Sequence, residues 1–260
     1  MAYAPFDLTG KVALVTGGNS GIGLGMAEAM AQAGADIVIW GTNAEKNLKA
    51  EARLNTLGVR VLAQKIDVSD EQQVVSGMAE AVTAMGRLDT VIANAGVGRG
   101  APSFSEMSVD TWRYVMGVNL EGAFLTCREA CKHMVERAKA GDPGGSIVVT
   151  SSLSAISGAA RNEAYASTKG AVISMVRGIA VEHARYGVRA NVILPGWIAT
   201  DMTAGAQASP AFAEKVIPRV PMRRWGEPED FGGIAVYLAS DASRFHSGDN
   251  FIIDGGYAIF

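Results

Sequence analysis

The sequence predicts a doubly wound α/β fold, one parallel sheet with helices on both faces, and three observations carry that prediction. Short apolar runs alternate with longer amphipathic stretches from one end of the chain to the other. The runs are rich in Val and Ile and lack a clean two-residue alternation, as strands buried on both faces should. Glycine stands at five helix ends, where a left-handed residue closes the last turn. Repeated strand–helix units of this kind make a parallel sheet whose crossovers are helices.

Strands are expected over Lys11–Thr16 (KVALVT), Asp36–Trp40, Val59–Ile66, Leu88–Ala93, Ser146–Thr150, Val188–Leu194 and Asn250–Ile253. Helical patterns lie between them at Gly21–Ala33, Ala44–Leu57, Asp70–Met85, Val109–Ala140, Tyr165–Tyr186 and Glu227–Ala239. Gly34, Gly58, Gly86, Gly141 and Gly187 are the expected C-terminal caps. With no linker, repeat or low-complexity stretch, residues 1–260 read as a single domain. Only Ala199–Arg224 breaks the rhythm. It holds Gly205, Pro210, Pro218 and Pro221, and an irregular excursion after a strand end is expected to be a lid over the site.

Composition narrows the function classes. Hydrophobic residues make up 48% and charged residues 19% of the 260, which is enough for a buried core and excludes disorder. The net charge of −3, with no basic stripe, argues against nucleic acid as a partner. No stretch approaches the roughly 20 apolar residues of a membrane span. Met1–Lys11 carries no apolar run of the signal-peptide kind, so the expected location is the cytoplasm. Cys127 and Cys131 share one helical face without zinc-motif spacing and read as packing residues.

Directly after the first strand comes Thr16-Gly17-Gly18-Asn19-Ser20-Gly21-Ile22-Gly23, and then a helix. Glycines there allow a tight turn and bring backbone N–H groups close to a pyrophosphate, which the helix amino terminus also attracts. Further on, Tyr165-Ala166-Ser167-Thr168-Lys169 gives Y-x-x-x-K, an i, i+4 pair on one helical face. An unperturbed tyrosine has a pKa near 10 and is a poor base. An adjacent ammonium would favour the phenolate and fit Tyr165 for proton transfer.

The G-x-x-x-G-x-G spacing with its leading Thr resembles the cofactor loop of the classical short-chain dehydrogenase/reductase family, and the resemblance runs the length of the chain. It implies a Rossmann-type fold and a hydride transfer between NAD(P) and a carbonyl or secondary alcohol. Gly17, Asn19, Ser20, Gly21, Ile22 and Gly23 would form the cofactor loop. Asp67 and Val68 would lie at the adenine. Asn94-Ala95-Gly96 matches the family's N-A-G element. Pro195, Gly196, Ile198 and Thr200 match its P-G-x-x-x-T element beside the nicotinamide.

The resemblance also completes a catalytic set of Asn119, Ser152, Tyr165 and Lys169. Ser152 lies 13 residues before Tyr165, the family's spacing, and would polarise the substrate oxygen; Ser151 competes by proximity. Asn119 would bend its helix and support a water beside Lys169. Lys169 would also bond the nicotinamide ribose, so Tyr165 and Lys169 count among the cofactor contacts.

The choice of cofactor turns on Gly41, Thr42 and Asn43 at the end of the second strand. A carboxylate in the place of Gly41 would favour NAD and repel a 2′-phosphate. Thr42 stands where NADP-preferring relatives often carry Arg, and Ser20 replaces their other basic residue. Nothing repels a phosphate, and Thr42 and Asn43 could bind one by neutral hydrogen bonds. The balance favours NADP, with NAD as the alternative.

His133, His183 and His246 fall outside these elements and read as surface or packing residues, which leaves a Ser-His-Asp hydrolase without its base. No metal-ligand cluster is evident. Substrate recognition is expected from the loops Val97–Pro102 and Leu153–Ala164 and from Trp197 with the irregular segment after it. Arg99, Arg161, Asn162 and Glu163 make two of these loops polar. The chain looks similar to relatives acting on gluconate-type sugar acids and polyols, so the expected partner is a small polar substrate. A 3-oxoacyl-thioester reductase is the competing enzyme, and a silent cofactor-binding regulator the competing class. The intact Tyr/Lys pair speaks against the regulator. The resemblance further implies a homotetramer, for which apolar Ala171–Ala184 and the Gly255–Phe260 terminus offer surfaces.

Overall fold

The computed structural model describes residues 3–260. Seven strands form one sheet: β1 Val12–Thr16, β2 Asp36–Gly41, β3 Val61–Lys65, β4 Thr90–Ala93, β5 Gly145–Thr150, β6 Val188–Pro195 and β7 Asn250–Ile253. All pairs are parallel, in the order β3-β2-β1-β4-β5-β6-β7. Each predicted strand is present, shifted by no more than two residues at either end. The helices are α1 Gly21–Gln32, α2 Ala44–Asn55, α3 Glu71–Met85, α4 Val109–Met116, α5 Gly122–Lys139, α6 Glu163–His183, α7 Ala204–Gln207, α8 Pro210–Val216 and α9 Gly232–Ala239.

Two apolar cores clad the sheet. One packs Trp40, Leu88, Val149, Val172 and Leu194 with α3, α5 and α6, and the other packs Ile37, Ile39, Met26, Phe231 and Leu238 with α1 and α9. Adjacent residues of a strand contribute to opposite cores, which explains why the strands read as continuous apolar runs. The five predicted capping glycines all have positive φ, between 75° and 100°.

Strand order reverses between β1 and β4, and the C-terminal edge opens there into a cleft, as in other open α/β sheets. Four hydrogen bonds tie the strand ends at that point. Thr16 Oγ1 accepts from the Asn94 and Ala95 amides at 3.0 and 2.9 Å. Asn94 Nδ2 donates to the Thr16 carbonyl, and Thr150 Oγ1 donates to Asn94 Oδ1 at 3.2 Å. The ends of β1, β4 and β5 are thereby fixed to one another.

The stretch 199–224 carries more helix than its prolines suggest. Asp201–Thr203 forms a 3-10 turn that leads into α7, and α8 is followed by a second turn at Ile217–Arg219. Pro210 occupies the first turn of α8, where its missing N–H has no intrahelical partner to lose. Edge-to-face packing of Trp197 on Phe212 (5.0 Å) and on Trp225 (6.0 Å) holds the segment to the body.

Candidate active site

A cleft of about 1100 Å³ runs along the C-terminal edge of the sheet. The predicted cofactor residues Gly17, Asn19, Ser20, Gly21, Ile22, Gly41, Thr42, Asn43, Asp67, Val68, Asn94, Ala95, Gly96, Pro195, Gly196, Ile198 and Thr200 all line it, with Ser152, Tyr165 and Lys169. Gly23 and Asn119 stand behind the wall instead. A Cβ on Gly23 would collide with the Gly17 carbonyl and come within 2.5 Å of Asn94 Nδ2. Its glycine is therefore a packing requirement that seats α1 against the β1 and β4 ends.

The lining fits a dinucleotide. Gly17 and Gly21 have φ of +63° and +52°, which side-chain-bearing residues rarely adopt. Ser20, the residue before α1, makes no side-chain cap, so the first amides of that helix face the cleft. By contrast, Asn43, Asp70 and Ser108 cap α2, α3 and α4. Asp67 also has local work: Oδ1 accepts from Ser69 N (3.0 Å) and Ser69 Oγ (2.7 Å). Its other carboxylate oxygen remains for the cleft.

Gly41 is more constrained than the sequence suggested. Asn19 Nδ2 donates to Asn47 Oδ1 at 2.7 Å, and Asn47 Nδ2 donates to the Gly41 carbonyl at 3.0 Å. A Cβ on Gly41 would collide with Asn19 Nδ2 and lie 2.6 Å from Asn47 Oδ1. An NAD-selecting carboxylate here therefore requires the Asn19 and Asn47 side chains to swing aside.

At the reacting end, α6 presents Tyr165 and Lys169 one turn apart. Lys169 is buried, and its Nζ donates to the Thr150 carbonyl at 2.7 Å and sits 5.4 Å from the Tyr165 ring centre. Ser151 is turned inward, donating to the Lys169 carbonyl at 2.7 Å. Ser152 lines the cleft and interacts with the Tyr165 hydroxyl. Ser151 lines the cleft as well, but its hydroxyl is spent on the Lys169 carbonyl, whereas the Ser152 hydroxyl accepts from the Ser154 amide at 3.2 Å.

Asn119 lies in a π turn, Gly117–Glu121, between α4 and α5. Its Oδ1 accepts from Val97 N at 2.7 Å and its Nδ2 donates to Val97 O at 2.9 Å. The widened turn carries the side chain to the loop after β4. Asn119 Oδ1 and Lys169 Nζ flank Gly96, 3.4 and 3.6 Å from where its Cβ would stand.

Protonation differs from the sequence expectation. Burial pushes the Tyr165 phenol above its ordinary value, with the Ser152 hydrogen bond pulling the other way. Burial also brings Lys169 down to about 8. Spacing alone pointed to a phenol depressed by its lysine, but desolvation of both groups dominates. The arrangement can hold a neutral phenol ready to donate a proton, beside an amine that titrates near neutrality.

The substrate loops divide. Arg161 and Asn162 line the cleft, whereas Arg99 and Glu163 do not. The Arg99 guanidinium covers the Tyr114 ring at 4.8 Å, and Glu163 Oε1 accepts from Arg161 N at 2.9 Å. Arg161 holds a left-handed backbone (φ +67°) while its carbonyl accepts from Ala101 N at 3.0 Å. Strain of this kind persists where neighbouring structure enforces it. Asp201 and Met202 bring the start of the expected lid segment to the cleft, and Lys46 and Tyr257, which the sequence did not single out, line it too. Their signal was absent because exposed polar residues on helices and tails look solvated.

A parallel sheet with a glycine cradle at its switch point and a Tyr/Lys pair across it defines an NAD(P)-dependent oxidoreductase. A family model described as enoyl-(acyl carrier protein) reductase matches residues 17–258. Gluconate 5-dehydrogenase of Gluconobacter oxydans is 35% identical over 254 residues, 98% of this chain and 97% of that protein. 2-Dehydro-3-deoxy-D-gluconate 5-dehydrogenase of Pseudoalteromonas atlantica is 37% identical over 255 residues, 97% of each. The crystal structure of a gluconate 5-dehydrogenase from Burkholderia cenocepacia in complex with NADP and tartrate superposes with a TM-score of 0.91 at 34% identity, covering 97% of both chains. The chain belongs to the short-chain dehydrogenase/reductase family.

Proposed function

We propose that this enzyme interconverts a secondary alcohol and a ketone on a small sugar acid or polyol, with a preference for NADP. The observation that carries the reading is the polar cleft wall: Arg161 and Asn162 line the same cleft as Ser152 and Tyr165. A carboxylated or hydroxylated substrate matches that wall, and the similar proteins named above include gluconate and ketodeoxygluconate 5-dehydrogenases. Bound NADPH supplies the hydride. Ser152 holds the substrate oxygen, Tyr165 gives its proton to that oxygen during reduction and takes one back during oxidation, and Lys169 returns the proton to the phenol. Asn119 positions the Val97 loop, and the Thr150 carbonyl holds the lysine.

Residues 1–260 act as one domain, with 199–224 as the substrate lid. Two free buried cysteines are compatible with a reducing cytoplasm, and among the described residues no helix is long and apolar enough to cross a membrane. A homotetramer would cover Phe124 on α5, Val181 on α6 (82% exposed) and the terminal Ile259 and Phe260. A light-scattering mass of one chain with activity retained would refute the assembly.

The deciding experiment is a rate screen over sugar acids, polyols and a 3-oxoacyl thioester with each cofactor. Highest kcat/KM is expected on a sugar acid or polyol with NADP(H). A thioester preference would replace this reading with the acyl reductase that the family model's description suggests.

A further inference from the structure

The adenosine end of the cleft contains a cation that the sequence reading did not assign. Asn43 Oδ1 caps α2 through the Lys46 amide at 2.9 Å, so Asn43 has only its neutral amide nitrogen to offer a phosphate. Lys46 itself lines the cleft beside Trp40, Gly41 and Thr42. The other cations on the cleft wall, Arg161 and Lys169, flank the catalytic tyrosine in sequence and belong to the reacting end. Lys46 Nζ is paired with Asp201 Oδ2 at 2.6 Å, across 155 residues of chain. The pair joins the helix after β2 to the first turn of the lid after β6, on the two sides of the reversal in strand order. Both side chains reach solvent, at 45% and 77% exposure, so the pair is weakly held and open to exchange.

We propose that Lys46 reads the 2′-phosphate of NADP, and that Asp201 is the counter-ion it gives up to do so. The proposal rests on the NADP preference above and names the residue that creates it. A phosphate monoester carries roughly −1.5 to −2 charges and three acceptor oxygens, and so competes well with one exposed carboxylate for the ammonium. The 2′-hydroxyl of NAD is neutral and leaves the Lys46–Asp201 pair in place. Glycine at position 41 also leaves the corner without the carboxylate that would repel a phosphate, so both features of the corner act in one direction.

The test is equilibrium binding by calorimetry, on the full chain, of NADP+, NAD+, 2′,5′-ADP and 5′-ADP. Lys46→Met is expected to weaken the two 2′-phosphorylated ligands by about tenfold to a hundredfold, the range for a hydrogen bond to a charged group. The other two should change less than about twofold, as exposed surface substitutions do. Asp201→Asn should tighten the 2′-phosphorylated ligands by roughly threefold, the scale of an exposed ion pair. That gain should vanish when Lys46→Met is also present. Equal weakening of all four ligands by Lys46→Met would overturn the proposal, because the lysine would then serve the pyrophosphate or the fold. A gain from Asp201→Asn that survives without Lys46 would also overturn it, since the carboxylate would then act on the phosphate directly. The wild-type ratio of NADP+ to NAD+ affinity tests the preference separately. A wild type that favours NAD+ refutes the cofactor reading, while selective loss of 2′,5′-ADP in Lys46→Met still upholds the role of Lys46.

Discussion

Within one cleft, the end that we assign to the reaction is sunk into the protein and the end that we assign to the adenosine lies at its surface. Asn119, Ser151 and Lys169 are 1%, 1% and 4% exposed, whereas Thr42, Asn43 and Lys46 are open to solvent. At the buried end these three polar groups are each fixed by a backbone partner: Val97 for Asn119, Thr150 for Lys169 and Lys169 itself for Ser151. Their charge states follow from desolvation, and a substitution there disturbs chemistry and packing together. At the surface end, screening weakens the pairs that the protein's own charged groups make, so these can exchange for a ligand's charge and binding there responds to salt.

The sharpest break in this comparison is Tyr165→Phe. It removes one hydroxyl from the buried end and nothing from the adenosine end. Turnover should fall about 10²- to 10⁴-fold, the range for a positioned acid/base, with the dissociation constant for NADP+ nearly unchanged. A variant retaining more than about a tenth of the wild-type kcat, far short of that range, would remove Tyr165 from the acid/base role.

Lys169→Met probes the same end through stability. The Lys169 pKa in the folded protein is about 8, below roughly 10.4 for an unfolded lysine. Between those values the unfolded chain binds more protons, so folding stability contributed by this site rises with pH and the penalty for burying the charge is felt below 8. Relative to Lys169→Met, the wild type should gain on the order of 2 kcal/mol from pH 7 to pH 10. Urea titrations at four pH values would measure it. A difference that stays flat with pH would show that the ammonium keeps its charge in the folded protein.

Legibility in the sequence follows the same division. Strands and capping glycines were readable because burial on both faces and left-handed closure each impose a residue type. The Tyr165/Lys169 pair and the glycine loop were readable because their chemistry needs fixed spacing. The π turn at Asn119 has no local signature, and only a likeness to relatives singled that residue out. Gly23 was assigned to the cofactor, but what demands glycine there is the Gly17 carbonyl, a contact made across a turn. The direction of the Tyr165 shift was misread because desolvation depends on everything packed around α6, which i, i+4 spacing does not encode. Lys46 was passed over because a lysine in the exposed first turn of a helix looks solvated until its partner, 155 residues away, is known.

Gly41→Asp asks whether the boundary between the two ends is as tight as the Asn19–Asn47 brace implies. By sequence logic this change would recruit NAD. The missing space at Gly41 instead predicts a loss of about 1–3 kcal/mol from overpacking, with weaker binding of both cofactors as the glycine loop shifts. Thermal unfolding alongside NAD+ and NADP+ binding distinguishes the outcomes. A selective gain in NAD+ affinity at unchanged stability would mean that the brace yields readily.

The smallest effect is expected from Thr42→Arg, which adds a second cation to the exposed end. Thr42 lines the cleft two residues beyond Trp40 and is open to solvent, so the new guanidinium need not displace any buried group. It would offer a 2′-phosphate a forked, charge-assisted contact. Solvent and the cost of ordering a long side chain limit the gain to roughly three- to tenfold in NADP+ affinity. Because a screened contact is involved, most of that gain should disappear in 0.5 M salt, where the Debye length is only about 4 Å. Binding of NAD+ should hardly change. The variant also bears on Lys46: if both cations face one phosphate, Thr42→Arg should recover part of the affinity lost in Lys46→Met. A Thr42→Arg chain that binds NADP+ no better at any salt concentration would mean that the strand end at Gly41–Asn43 lies away from the adenosine ribose.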